Sequence, residues 1–345
     1  MKKWNACRIW ELPQLLWMTL AKLVLWTAAG ALCLFALFVR KGVCRTETTM
    51  EGKTVIVTGG SSGMGKATAK ELARRKARVI IACCDLTEAD QAAREIFAET
   101  KVDVIVKYLD LASFESVRGF AQDVIATEPR LDVLINNAGI MLGSEEVVLT
   151  LDGYERAFQV NYLGPFLLTM LLVGLLKASA PCRVINMSSM LHLLGSAERF
   201  EDRARGIHPV ADPLAVYCDS KLAIVLFTRA LAATLHNKGV TVNAAHPGLV
   251  RTSIALNSPR ILASYFSLLQ SLGGKTALEG AQTTLFLAVH PVVGRETGAY
   301  YSDCKKGWVS RKAINFKLAQ QVFRCSMRLV HLEEADVPLL WREIK

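Results

Sequence analysis

With 345 residues, 52% of them hydrophobic and 21% charged, the chain has the composition of a protein that buries a core, which excludes a disordered or collagen-like one. The formal net charge of +10 invites a nucleic-acid partner, but Lys and Arg are spread along the chain with no basic stripe and no interleaved aromatics, so we assign no nucleic acid and read a surface suited to anionic lipid headgroups. The nine cysteines show neither metal-ligand spacing nor a regular framework, which argues for a reducing compartment and no metal site.

The first element is apolar. Residues 12–39 are interrupted only by Pro13 and Lys22, and the uncharged part, 23–39, spans as a helix about 26 Å against a hydrocarbon core of roughly 30 Å. Lys22 lies near one end, where its ammonium can reach the headgroups, and Trp17 and Trp26 are candidate interface anchors. No small-residue cleavage pattern precedes Arg40 and Lys41, so the segment reads as a single-pass anchor rather than a cleaved leader or a helix packed on the protein. Basic residues flank it on both sides, Lys2, Lys3 and Arg8 against Arg40, Lys41 and Arg45, and orientation stays open on charge alone. We take 1–45 as anchor with its flanks and 46–52 as linker.

From residue 53 onward short β-branched runs alternate with helical stretches, the pattern of a parallel sheet covered by helices. Strands are predicted at 55–58, 78–83, 104–108, 133–136, 183–187, 241–245 and 299–302, and helices at 65–75, 88–100, 116–127, 154–179, 216–238 and 276–289. The expected fold is α/β: one Rossmann-type, doubly wound, seven-stranded parallel sheet over 53–312, followed by a helical tail at 313–345. Residues 253–274 break the rhythm, being apolar but irregular with Pro259 and the Gly273-Gly274 pair, and suit a substrate-covering lid.

The first strand runs into Gly59-Gly60-Ser61-Ser62-Gly63-Met64-Gly65 and then into helix-forming residues. Glycines there permit a tight turn and let backbone amides approach a pyrophosphate resting at the positive end of the helix. TGxxxGxG directly after a first strand is therefore a dinucleotide-binding loop rather than a plain turn. Further along come Asp110-Leu111 after the third strand, Asn136-Asn137-Ala138-Gly139 after the fourth, Ser188-Ser189 ending the fifth, Tyr217-Cys218-Asp219-Ser220-Lys221 opening a helix, and His246-Pro247-Gly248 after the sixth. In that order these motifs resemble the short-chain dehydrogenase/reductase family over the chain from Lys53 to its C-terminus.

The resemblance implies a nicotinamide dinucleotide held by Gly59, Ser61, Ser62, Gly63, Met64 and Gly65 at its phosphates. Asp110 and Leu111 would lie at the adenine, Asn137, Ala138 and Gly139 beside the central sheet, Tyr217 and Lys221 at the ribose, and Pro247, Gly248 and Thr252 near the nicotinamide and pyrophosphate. It also implies a catalytic group of Asn161, Ser189, Tyr217 and Lys221, with Ser189 rather than Ser188 on the substrate oxygen and Asn161 kinking the long helix and anchoring a water between Lys221 and solvent. A buried asparagine satisfying backbone is the rival reading of Asn161. Tyr217 and Lys221 are four residues apart and share a helix face, and a neighbouring ammonium together with the positive nicotinamide is expected to lower the phenol from its ordinary value near 10. His246 reads as structural. The Asn186-Met187-Ser188 sequon falls on an interior strand and reads as incidental.

The second strand ends in Ala82-Cys83-Cys84-Asp85, which supplies neither the Asp of NAD enzymes nor the Arg, one place later, of many NADP enzymes. Lys66 is near enough to consider, and Asp85 could repel a phosphate or accept a ribose hydroxyl. The likeness alone favours NADP(H) over NAD(H). Within the family the stretches beginning at Tyr217, Ala245 and Gly298 are most similar to the microsomal retinol dehydrogenase and retinal reductase group, which implies a lipophilic alcohol or carbonyl substrate, an endoplasmic-reticulum membrane, and a homodimer through the helices at 154–179 and 216–238; the scattered cysteines and the supply of cofactor favour a catalytic domain facing the cytosol. The apolar Ile261, Leu262, Tyr265, Phe266 and Leu269 suit a greasy lid. Steroid, polyprenol or lipid-derived aldehyde substrates stay open, as does a non-catalytic nucleotide-sensing scaffold, against which stands the completeness of the catalytic group.

Overall fold

The computed structural model describes residues 41–142, 146–207, 212–251 and 273–333. The expected anchor helix at 23–39, Thr252, nearly all of the expected lid and the last twelve residues lie outside them. From Lys41 onward the chain forms one compact unit.

Strands β1 (Thr54–Thr58), β2 (Arg78–Cys83), β3 (Ile105–Tyr108), β4 (Val133–Asn136), β5 (Cys182–Met187), β6 (Val240–His246) and β7 (Tyr300–Ser302) form a parallel sheet in the order β3-β2-β1-β4-β5-β6-β7. Each begins or ends within a residue of its predicted run. An eighth strand, β8 (Lys305–Lys306), pairs antiparallel with β7 and corrects the seven-stranded, wholly parallel expectation. It is formed by a two-residue hairpin in which Asp303 and Cys304 both take the left-handed conformation, φ 52° and 58°. That is the requirement of a type I′ turn, here met without glycine and so without the usual sequence signature.

Successive strand residues point to opposite faces, and each face has its own core. Ile56, Ile80, Leu134, Val184 and Val242 pack beneath α3 (Phe114–Thr127), α4 (Arg156–Ala178) and α6 (Pro213–Thr234), a core that Phe200 and Ala204 of the short α5 (Phe200–Ala204) join. Val55, Val57, Ile81, Ile135 and Ile185 pack against α1 (Gly63–Arg74), α2 (Leu86–Thr100) and α7 (Ala277–Val289). Burying each such aliphatic side chain contributes roughly 1.5–3 kcal/mol, and the β-branched residues fit the pleated surface. A polar chain crosses the first core: Asn136 Nδ2 donates to Thr169 Oγ1 and to Asn186 Oδ1, both at 2.8 Å, and Asn186 Nδ2 donates to Thr228 Oγ1 at 3.0 Å. The sequon asparagine is thus buried between two strands.

The predicted helix at 154–179 is kinked at Asn161, as the resemblance implied. Inside α4 the residues Gln159–Leu163 form a π turn, because Pro165 has no N–H to give to the carbonyl of Asn161 four residues before it. By length and composition α4 could cross a membrane, but 78% of its most apolar window is buried inside the protein: it is a core helix. The C-terminal helix α8 (Phe316–Leu329) lies across α4 and α6, the pair assigned above to self-association, with Phe323 against Phe166 and Phe227 and the Tyr162 hydroxyl 2.7 Å from Ser326 Oγ.

After β3 the chain returns to the other side of β1 to lay down β4. The crevice outside the carboxyl ends of β1 and β4 is therefore the topological switch point at which open α/β sheets bind ligands.

Candidate active site

The glycine loop begins where β1 ends. Gly59 and Gly63 have φ of +62° and +52°, a conformation that side chains with a Cβ rarely adopt. A Cβ on Gly65 would stand 2.0 Å from the Gly59 carbonyl oxygen, so the first turn of α1 can fold back on the loop only with glycine there. Across the switch point, Thr58 Oγ1 accepts the Asn137 and Ala138 amides, each at 3.0 Å, and Asn137 Nδ2 donates to the Thr58 carbonyl at 3.0 Å. The loop after β4 is thereby strapped to the loop after β1.

Between them lies a cleft of about 420 Å³. Gly59 and residues 61–65 line it, as do Asp110 and Leu111, Asn137 to Gly139, Tyr217, Lys221 and Pro247. Asn161, Ser189 and Gly248 are absent from its lining, and Thr252 is outside the described residues. The N-cap of α1, Ser62, makes no side-chain cap bond and the first turn carries no acidic residue. Its orphan N–H groups and the positive end of the helix dipole therefore face the cleft, a fit for an anionic pyrophosphate. One Asp110 oxygen is committed locally, accepting the Ala112 amide at 2.8 Å.

Helix α6 starts at Pro213 behind the N-cap Asp212, which accepts the Ala215 amide at 3.0 Å. One turn in, Tyr217 and Lys221 are buried together. Lys221 Nζ lies 5.3 Å from the centre of the Tyr217 ring and donates to the Met187 carbonyl at 3.0 Å. Burial pulls the Lys221 ammonium down to about 8. Burial likewise pushes the Tyr217 phenol up to about 12, against the lowering effect of its hydrogen bond with Ser189. The sequence expectation of a lowered phenol is thus reversed among the protein groups alone: desolvation dominates, and the ammonium is bonded to a carbonyl, not to the phenolic oxygen.

The two serines at the end of β5 part company. Ser188 Oγ donates to the Lys221 carbonyl at 2.9 Å and ties β5 to α6, whereas Ser189 reaches Tyr217 and accepts the Leu191 amide at 3.2 Å. Asn161 sits in the π turn. Its Oδ1 accepts the Ile140 amide at 2.7 Å, and its Nδ2 donates to the Ile140 carbonyl at 2.9 Å and to Ser220 Oγ at 3.4 Å. Gly139 is the meeting point, where an added Cβ would stand 3.2 Å from Asn161 Oδ1 and 3.4 Å from Lys221 Nζ.

Two pairs escaped the sequence reading. Lys275, buried at 1% exposure, donates to the Pro247 carbonyl at 3.1 Å and is paired with Asp303 at 2.5 Å, so the left-handed β7–β8 turn fixes the segment after β6. Gly248, at φ +85°, clears this lysine only because it has no Cβ. Glu88 in the first turn of α2 accepts a hydrogen bond from Ser61 Oγ at 2.7 Å, inside the cleft. His246 is held near 4 by burial and by the adjacent Lys275 ammonium, and stays neutral.

Known proteins resemble this chain in sequence and in fold. A family profile described as enoyl-(acyl carrier protein) reductase matches residues 59–291. Retinol dehydrogenase 12 of Bos taurus is 48% identical over 294 residues, which cover 85% of this chain and 91% of that protein. Retinol dehydrogenase 13 of Homo sapiens is 42% identical over 320 residues, covering 90% and 94%. Among solved structures, a protein of Mycobacterium paratuberculosis superposes with a TM-score of 0.67 at 31% identity over 85% of this chain and 99% of its own. One from Beutenbergia cavernae, described as an NAD(P)-dependent gluconate 5-dehydrogenase and determined with NADP at low occupancy, gives 0.60 at 30% identity over 74% and 96%.

Proposed function

The chain belongs to the short-chain dehydrogenase/reductase family and is an NAD(P)-dependent oxidoreductase of alcohols and carbonyl compounds; from that premise we propose that it acts on a lipophilic, retinoid-like alcohol or aldehyde through Ser189, Tyr217, Lys221 and Asn161. The observation that carries this reading is the placement of Tyr217 and Lys221, one helical turn apart and buried, on the wall of the cleft that the glycine loop opens.

The nicotinamide, when bound, supplies or accepts the hydride at the substrate carbon. The protein handles the proton. In the direction of reduction the Tyr217 hydroxyl donates to the carbonyl oxygen as negative charge develops there, and the Ser189 hydroxyl, already hydrogen-bonded to Tyr217, holds that oxygen in line. A phenol near 12 keeps its proton at neutral pH until such an acceptor arrives. The Lys221 ammonium stabilises the tyrosinate left behind, a charge that burial would otherwise penalise. Asn161 shapes the floor by clasping Ile140, and it is the residue that would anchor the proposed water between Lys221 and solvent.

The substrate class is supported by the named relatives and by the apolar stretches at 23–39 and 253–274. We place the enzyme on the endoplasmic-reticulum membrane through residues 23–39, with the catalytic unit in the cytosol; all seven cysteines among the described residues are free, as a reducing compartment requires. The test is turnover of the purified chain on retinoid, steroid, polyprenol and aliphatic carbonyls, followed by cofactor absorbance. Retinal should exceed hexanal in kcat/KM by at least about tenfold, since each added apolar contact contributes selectivity. Equal values for the two would sink the assignment.

A further inference from the structure

We propose that Glu88, clasped by Ser61, is the acceptor for the adenosine ribose 2′-hydroxyl and that the chain therefore takes NAD(H), not the NADP(H) that family likeness favoured. This inference rests on the dinucleotide reading of the cleft.

In a doubly wound sheet the ribose 2′ position lies between the glycine loop and the end of the second strand, where a carboxylate accepts the hydroxyl or an arginine accommodates a 2′-phosphate. Here the strand ends in Cys83 and Cys84, which line the cleft but bring neither a carboxylate nor a guanidinium. Asp85 is partly committed, since its Oδ1 caps α2 by accepting the Glu88 amide at 2.9 Å.

Glu88, one turn further, reaches back over the strand end. Its Oε2 takes the Ser61 hydroxyl at 2.7 Å, and Ser61 is itself buried, at 7% exposure. The bond joins the first turn of α2 to the glycine loop across the place where the ribose must pass. A carboxylate has two oxygens and about four lone-pair sites, so Glu88 can keep Ser61 and accept a ribose hydroxyl as well.

The same geometry excludes a 2′-phosphate. Asp85 and Glu88 both line this end of the cleft, whereas the cations lining it are Arg156, on α4, and Lys221, beside Tyr217. Lys66, the cation that the sequence brought into consideration, is paired with Glu95 and is not among the lining residues. A phosphate carrying nearly two negative charges would face two carboxylates with no local counter-ion.

The test is equilibrium binding to the full-length chain in detergent, read by thermal shift and by nucleotide fluorescence, with NADH and NADPH and with 5′-AMP and 2′,5′-ADP as fragments. NADH and 5′-AMP should bind at least about tenfold more tightly than their 2′-phosphorylated counterparts. Glu88→Gln and Ser61→Ala should each narrow that ratio several-fold, and Cys84→Arg with Glu88→Lys should reverse it. Tighter binding of NADPH by the unaltered chain, or a ratio unmoved by Glu88→Lys, overturns the inference while leaving the dinucleotide cleft intact. Binding of neither nucleotide would instead overturn the dinucleotide reading beneath it.

Discussion

At Tyr217 and Lys221 burial favours the neutral form of both groups, raising the phenol to about 12 and lowering the ammonium to about 8. With Lys221 near 8 in the native protein and near 10.5 when unfolded, the unfolded chain binds the proton more tightly. Stability therefore falls as pH drops from about 10.5 to about 8 and is flat below, a loss of about 3 kcal/mol by linkage. Lys221→Met should consequently stabilise the protein purified without cofactor by about 1–2 kcal/mol at pH 7, after discounting the bond lost at the Met187 carbonyl. Its melting temperature should rise by a few degrees while turnover disappears, and a fall in both would show that the buried ammonium is not a stability cost. Tyr217→Phe should lower kcat by about 10²–10⁴ and leave dinucleotide affinity nearly unchanged; retained turnover would remove Tyr217 from the proton step. These residues were legible in the sequence because each motif is local, a few residues whose spacing alone sets their geometry. Ser61 with Glu88 and Lys275 with Asp303 were not, being joined across separations of 27 and 28 residues that only the strand crossovers close.

Pattern alone misjudges elements in which one residue overrides it. Periodicity reads α4 as continuous, and only the family likeness implied the kink at Asn161; there Pro165 removes one donor and the backbone widens into the π turn that carries Asn161. If that turn positions Asn161 on Ile140, then Pro165→Ala should restore an α-helical bond to the Asn161 carbonyl and draw the side chain off its partner. The expected outcome is a melting temperature held or raised with kcat down by about tenfold; unchanged kcat would make the π turn a packing detail. Strand β8 was missed for the converse reason. Asp303 and Cys304 adopt φ values that sequence rules reserve for glycine or asparagine, and the pairing of Asp303 with Lys275 helps hold the turn there. The helix starts, by contrast, were legible to within two or three residues, because Asp85, Ser113 and Thr276 cap them chemically.

For the whole molecule, hydropathy alone nominates two membrane helices, 23–39 and α4, and packing separates them. Phe158, Phe166 and Leu172 of α4 are wholly buried in the core beneath the sheet, so a charge placed there meets protein, whereas on our reading a charge placed at 23–39 meets lipid. Leu32→Arg with Leu34→Arg should add about 5–7 kcal/mol to insertion of the anchor and release the chain from membranes under alkaline carbonate, with its nucleotide binding intact. Leu172→Arg should leave membrane attachment unaltered and abolish folding, because an unpaired ion in a close-packed core has no route to water. The two variants thus dissociate location from fold. Carbonate extraction of the unaltered chain, or full retention of the doubly charged one, would move the anchor elsewhere, and with it the case for a substrate delivered from the bilayer.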